Sequence, residues 1–269
     1  MVDRKQAIGI FDSGIGGLTV ASAIRNLLPQ ENMIYFGDTA HLPYGDKSSE
    51  SIKYYSEHIT RFLIEKECKV ILIACNTASA HAFEIVQKIA GNKVKVFNVI
   101  DPVVDLISSS RKYSKVGVIG TKGTINSGTY ARKILERKPE ARVISLATPL
   151  LAPMIEEGFI YDDISNAIIR SYLSNQQLEG INSLILACTH YPIIKNQIRK
   201  YYNFNIKVID SGQIVANQLK QYLQQNNLIN ETETPKYQFY VSDYTELFEK
   251  ISEMFFDEEV QLNMVDLWK

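Results

Sequence analysis

Short runs of Ile, Val and Leu recur along the chain, and between most of them lie stretches whose apolar residues return at helical spacing. The runs predict strands at about 7–11, 32–37, 69–74, 94–99, 115–120, 142–147, 183–187 and 206–209. Between them, "GLTVASAIRNLLP" places Leu18, Ala21, Ile24 and Leu28 on one helix face and stops before Pro29. "SSESIKYYSEHITRFLIEKE" opens with serine caps and then carries apolar residues at helical spacing. Strands that are apolar throughout, alternating with helices, imply an α/β fold with mostly parallel sheets covered on both faces. Ligands of such sheets gather at the carboxyl ends of the strands.

Two of these strands end alike. "ILIACNTASA" (71–80) and "LILACTHYPI" (184–193) both run from aliphatic residues into Ala-Cys and then turn polar. A thiol at a strand-to-helix junction meets free backbone N–H groups and the positive end of the helix dipole, which favour its thiolate form. Cys75 and Cys188 are therefore candidate reactive cysteines, each followed by hydroxyl or amide residues: Asn76 and Thr77 after the first, Thr189 and His190 after the second. Cys68, in "EKECKV", reads as a small buried hydrophobe.

The cysteine strands belong to a wider internal echo. "IGIFDSGIGG" (8–17) resembles "VGVIGTKGTI" (116–125), and "NVIDPV" (98–103) resembles "KVIDSG" (207–212), in the same order in both halves. Ser13 precedes Cys75 by 62 positions and Thr121 precedes Cys188 by 67. Two similar α/β halves facing each other would bring their strand-end loops to a common cleft, each contributing one cysteine.

Composition narrows the partners. The 269 residues, 45% of them hydrophobic, suffice for one large domain or two ordinary ones. With 29 basic and 30 acidic residues, the formal net charge of -1 leaves no electrostatic footprint for nucleic acid or an anionic membrane. The opening "MVDRKQAIGIF" holds no apolar signal core, and no apolar run reaches the roughly 20 residues that span a bilayer, so a soluble, cytoplasmic protein is expected. Three cysteines without a C-x-x-C pair suit a reducing compartment.

Other chemistries fit poorly. "DSGIGG" lacks the third glycine of a dinucleotide-binding turn because Thr19 stands there, and no G-K-[ST] occurs. Ser13 lacks the preceding glycine of a hydrolase elbow, Phe11 taking its place. Cys188-x-His190 offers two ligand types at unusual spacing, so no metal is expected. His41, His58 and His81 read as loop or helix-face residues.

Together "FDSGIGGL", "YFGDTAHLPYGDKS", "ILIACNTASA", "VIGTKGTINSGTY", "PLLAPMIEEG", "LILACTHYP" and "VIDSG" resemble the bacterial glutamate racemases, within the cofactor-independent aspartate/glutamate racemase superfamily. The resemblance spans roughly residues 7–225. It implies two similar α/β domains, 1–98 with 209–269 and 99–208, with the active site in the cleft between them. It also implies interconversion of L- and D-glutamate for peptidoglycan synthesis, without metal or organic cofactor, in a protein that forms homodimers. Removing the Cα proton on one face and returning one on the other calls for a base on each side. The resemblance assigns deprotonation of D-glutamate to Cys75, aided by Asp12 and Asp38, and that of L-glutamate to Cys188, aided by Glu156 and His190. It gives substrate binding to Asp12, Ser13, Tyr44, Gly45, Asn76, Thr77, Thr189 and His190, with Pro43, Thr121 and Thr124 as further lining. Backbone N–H groups at helix starts and hydroxyl or amide donors would hold the two substrate carboxylates. Asp38 and Glu156 could instead be capping or solvated carboxylates. An aspartate or hydantoin racemase shares the paired cysteines, although aspartate-selective relatives tend to carry an acid where His190 stands. A noncatalytic binding module would tolerate serine at 75 and 188.

Overall fold

A computed structural model describes residues 3–92, 94–231, 234–256 and 260–268. The chain divides into two compact units, Met1–Val99 with Gly212–Lys269 and Ile100–Ser211. In the first, strands β1 (Ile8–Asp12), β2 (Met33–Gly37), β3 (Val70–Ile73) and β4 (Lys95–Asn98) are arranged β2-β1-β3-β4. In the second, β5 (Lys115–Gly120), β6 (Arg142–Ala147), β7 (Ser183–Ala187) and β8 (Lys207–Ile209) are arranged β6-β5-β7-β8. The two orders are equivalent, which gives the sequence echo a topological meaning: β1 and β5 are central, and each cysteine strand lies beside the glycine-containing strand of its own half.

Two further strands escape the sequence pattern. β9 (Tyr237–Val241) pairs with β2, and β10 (Leu262–Met264) pairs with β9, so the first sheet reads β10-β9-β2-β1-β3-β4. Gln238 interrupts the apolar run of β9, and the three residues of β10 are half-buried or exposed. Every pairing in both sheets is parallel.

Alternate residues of the first sheet enter separate cores. Ile8 and Ile10 pack with helices Leu18–Leu27 and Gly212–Gln225, while Phe11 packs with helices Ser49–Glu65 and Asn76–Ala90. Ser48 caps the helix Ser49–Glu65, its hydroxyl accepting from Ser51 N. In the second unit, Ile119, Leu184 and Leu186 pack against Leu151, Ile155, Ile169 and Ile198. Cys68 is part of the first unit's packing. A Cβ at Gly9 would lie 2.9 Å from its sulfur, and burial pushes its thiol pKa up to about 12, with Lys66 opposing only in part. That sulfur fills space left by the glycine.

One buried ion pair ties the amino ends of this sheet to the loops below it. Lys69 Nζ donates to Glu31 Oε2 at 2.5 Å and to the carbonyls of Arg4 and Leu228, while Asn230 N donates to Glu31 Oε1. Both side chains are essentially inaccessible. Burial lowers the Lys69 pKa, and the glutamate works against that shift. Breaking one side of such a pair strands the other charge. Lys69→Met should therefore reduce stability by about 3–5 kcal/mol, measured by chemical denaturation, and the double variant Lys69→Met/Glu31→Gln should recover part of the loss.

Candidate active site

Because the strands run in register, Asp12 at the end of β1 pairs with Gly37 at the end of β2, and Phe11 pairs with Ile73 at the end of β3. The residues that follow emerge at one edge. Asp12 is fully buried and accepts from Gly14 N at 2.9 Å, closing the turn that holds Ser13. Tyr35 supports this turn from below, its hydroxyl donating to Gly14 O at 2.7 Å. A Cβ at Gly17 would lie 2.5 Å from both Asp12 Cβ and Tyr35 Oη, so the "DSGIGG" glycine serves close approach around Asp12. Burial, followed by the nearby charges of Asp12 and Cys75, raises the Tyr35 pKa well above the ordinary phenol value.

Cys75 is the N-cap of the helix Asn76–Ala90, as the strand-to-helix junction predicts. Its sulfur accepts from Ala78 N at 3.4 Å and lies 3.8 Å from Ser13 Oγ. Negative charge on the sulfur would strengthen the amide contact. Asn76 and Thr77 are buried in the first turn beside it.

Asp38 follows β2 and is fully buried, without a side-chain capping bond. Asp38 stands at the N-cap of the turn Thr39–His41, yet its carboxylate makes no capping bond and is not solvated. Tyr44 Oη donates to its Oδ2 at 2.6 Å, Ser242 Oγ donates to its Oδ1 at 2.7 Å, and His41 Nδ1 lies 2.9 Å from Oδ1. Burial first, then Asp38 and the charges of Cys75 and Asp12, raise the Tyr44 pKa well above normal. Tyr44 also shares an apolar cluster with Cys75. Pro43, which follows a cis peptide bond, is exposed, and Gly45 is half-buried.

In the second unit, Gly120 at the end of β5 pairs with Ala147 and Ala187, which places Thr121, Thr148 and Cys188 at one edge. Thr121 caps the helix Lys122–Asn126, accepting from Thr124 N at 3.2 Å and donating to Thr124 Oγ1 at 3.0 Å. The chain after Cys188 differs from the expected helix start. It first makes a 3₁₀ turn, Tyr191–Ile194, before the helix Lys195–Tyr201. Pro192 supplies no N–H, and the flanking bonds run from Tyr191 N to Cys188 O and from Ile193 N to His190 O. Tyr191 anchors this turn through Thr148, with 2.8 Å between the hydroxyls.

His190 occupies the position beside this sulfur. Its Nδ1 lies 3.6 Å from Cys188 Sγ, and its Nε2 lies 2.9 Å from Glu156 Oε1, close enough for charge pairing though not aligned as a hydrogen bond. Burial on its own lowers the His190 pKa. The sulfur and the carboxylate outweigh it, leaving the pKa well above the ordinary histidine value. Thr189 is buried between Cys188 and His190 in sequence.

The candidate residues thus form one group at the carboxyl edge of each sheet. Cys75 is accompanied by Asp12, Ser13, Asp38, Tyr44, Asn76 and Thr77, and Cys188 by Thr121, Thr124, Glu156, Thr189 and His190. Tyr35, His41 and Ser242 escaped sequence reasoning. His41 stands three residues after Asp38, a local signal; Ser242 lies 204 positions away and offered none. Among the described residues, no group of three or more His, Cys, Asp or Glu side chains could hold a metal ion, and no helix is long and apolar enough to cross a membrane.

The raised His190 pKa has a measurable signature. The His190 imidazole should titrate well above about 6.5 by NMR, and Glu156→Gln should move that titration downward. A raised pKa contributes stability that is complete below the unfolded-state value and is lost as pH climbs through the folded-state value. Glu156→Gln should therefore cost more stability at about pH 6 than in alkali.

Residues 18–219 match the Asp/Glu/Hydantoin racemase family. Glutamate racemase from Geobacter metallireducens is 40% identical over 251 residues, covering 93% of this chain and 92% of that protein. The enzyme from Neisseria meningitidis serogroup C is 39% identical over 275 residues, covering 99% and 98%. A solved structure of glutamate racemase from Francisella tularensis, in complex with D-glutamate, superposes with a TM-score of 0.92 at 43% identity, covering 98% of this chain and 99% of that one. The chain belongs to the Asp/Glu/hydantoin racemase family and, within it, to the glutamate racemases.

Proposed function

We propose that this protein interconverts L- and D-glutamate by two-base proton transfer at Cα, with Cys75 and Cys188 serving opposite faces. The observation that carries the reading is the distinct polar setting of each thiol. Cys75 receives an amide N–H at the start of a fifteen-residue helix, and Cys188 sits beside a histidine held by Glu156. Each setting suits a sulfur that alternates between thiolate and thiol. One sulfur removes the proton while the other, protonated, delivers its own to the opposite face of the planar intermediate; the roles exchange in the reverse direction.

His190 can remain imidazolium beside a Cys188 thiolate and balance its charge. Asp38 and Tyr44 form the corresponding polar group near Cys75. The first-turn residues Asn76 and Thr77, with Ser13, Thr121 and Thr189, are the donors we assign to the substrate carboxylates. The reaction requires no metal or organic cofactor. We place it in the cytoplasm, as a homodimer, supplying D-glutamate to peptidoglycan synthesis. The 39–40% identity to glutamate racemases over more than nine-tenths of the chain supports glutamate as the substrate.

Purified protein should racemise L-glutamate without additives and turn over aspartate far more slowly, with circular dichroism following the course. Cys75→Ser and Cys188→Ser should each lower the rate by roughly 10²–10⁴-fold, because a serine hydroxyl is a far weaker acid and its alkoxide is scarcely populated. Cys68→Ser should leave turnover largely intact. Near-normal activity in either of the first two variants would rule out the two-thiol reading.

Heavy water separates two bases from one. D-glutamate first formed from L-glutamate should carry deuterium at Cα, while the remaining L-glutamate stays almost unlabelled; the reverse direction should mirror this. Proton NMR after chiral separation at low conversion reads both pools. Retention of the original proton in the first product contradicts two bases on opposite faces.

A further inference from the structure

Ser242, just after β9, joins the polar group around Asp38. β9 pairs with β2 so that Val241 lies opposite Gly37, which places Ser242 level with Asp38. Ser242 N donates to Gly37 O, its hydroxyl donates to Asp38 Oδ1 at 2.7 Å, and the same oxygen accepts from Ala40 N at 2.9 Å. Next to it, Asp243 N donates to Thr39 Oγ1 at 2.9 Å. Trp268 reaches the same loop, meeting His41 edge-on at 4.7 Å, while Tyr55 stacks on the His41 ring at 4.1 Å.

These contacts decide how the carboxylate is turned. Ser242 addresses Oδ1 and Tyr44 addresses Oδ2, while His41 Nδ1 lies between them, 2.9 Å from Oδ1 and 3.1 Å from Oδ2. A carboxylate held by donors on both oxygens cannot rotate about its Cβ–Cγ bond without losing one of them. Removing the Ser242 hydroxyl leaves Oδ1 only the His41 nitrogen that it shares with Oδ2, which loosens the plane that fixes the Tyr44 hydroxyl. Ser242 itself is only half-buried, so truncating its side chain opens no sealed cavity.

We propose that Ser242 is a positioning residue, which orients Asp38 and through it Tyr44 beside Cys75 for proton transfer on the Cys75 side of the substrate. This rests on the racemase reading above. Racemisation has an equilibrium constant of one, so any loss in kcat/KM must be equal in the two directions. The proton-transfer step that is slowed need not be the same for both substrates. An impaired Cys75 step carries more of the barrier; the α-deuterium isotope effect on kcat/KM then rises with D-[2-²H]glutamate, whose deuteron goes to Cys75, and falls with L-[2-²H]glutamate, whose deuteron goes to Cys188.

The test compares wild type, Ser242→Ala and the near-isosteric pair Ser242→Thr and Ser242→Val, which differ in the hydroxyl alone. Ser242→Ala and Ser242→Val should lower kcat/KM about tenfold, with the two isotope effects moving in opposite directions and thermal midpoints close to wild type. Ser242→Thr should restore both rate and isotope effects. Unchanged kinetics in the hydroxyl-free variants, a rate loss with unshifted isotope effects, or failure of both to fold would overturn the proposal. Wild-type protein that leaves glutamate unracemised would overturn the parent reading, and this one with it; active wild type with unaffected variants overturns this one alone.

Discussion

The in-register parallel pairing of β1 with β2 and β3 stops three strands at one level, and the first polar group follows from that level. Backbone bonds continue the ladder one step beyond the strands: Asp38 N donates to Asp12 O, and Ala74 N donates to Phe11 O. Asp12, Asp38 and Cys75 therefore leave the sheet within one turn of each other, although 63 residues separate the first from the last. The same constraint operates in the second sheet, where Thr148 N donates to Gly120 O and Cys188 follows Ala187. Parallel strands require a long crossover between partners, so residues brought together here must come from distant parts of the chain.

The two sulfurs occupy equivalent strand ends but have different polar neighbours. Cys75 relies on a helix start, whose amides are fixed by the backbone and cannot titrate. Cys188 leads into a 3₁₀ turn, in which Pro192 supplies no N–H, and its companion is an ionisable ring paired with Glu156. The two halves that echo each other in sequence therefore share a strand order but differ in local electrostatics. A fixed dipole tolerates changes of pH, whereas an imidazole between a thiol and a carboxylate couples all three protons.

Burial without isolation is common to both groups. Asp12, Asp38 and His190 are almost inaccessible to solvent, yet each has specific polar neighbours. Groups so enclosed hold their geometry because rotation would leave a buried polar atom unmatched. The C-terminal strand β9 contributes to that enclosure by delivering Ser242 to Asp38, giving the end of the chain a role in the geometry of residues near its beginning.

Hydrophobic periodicity was enough to locate β1 to β8, because each is a short run of mostly apolar residues, including β4, β6 and β8 at sheet edges. It also exposed the repeated half, whose strand order the structure reproduces, and it singled out Cys75 and Cys188 as the thiols that end apolar strands, apart from Cys68. β9 and β10 were not legible, since Gln238 interrupts the first and the second has only three residues. Nor did periodicity give the partners of Asp38 and His190, although the family resemblance had set Glu156 and His190 beside Cys188. Tyr44 and His41 lie close to Asp38 in sequence, but Ser242 reaches it only through the β2–β9 register, and Glu156 meets His190 only after the helix Leu151–Glu156 has packed beside the turn at 191–194. The sequence by itself determined which residues begin and end the strands, because burial and backbone hydrogen bonding act locally on each segment. Only the tertiary structure decided which polar side chains meet, because those contacts depend on register and packing between segments far apart in the chain.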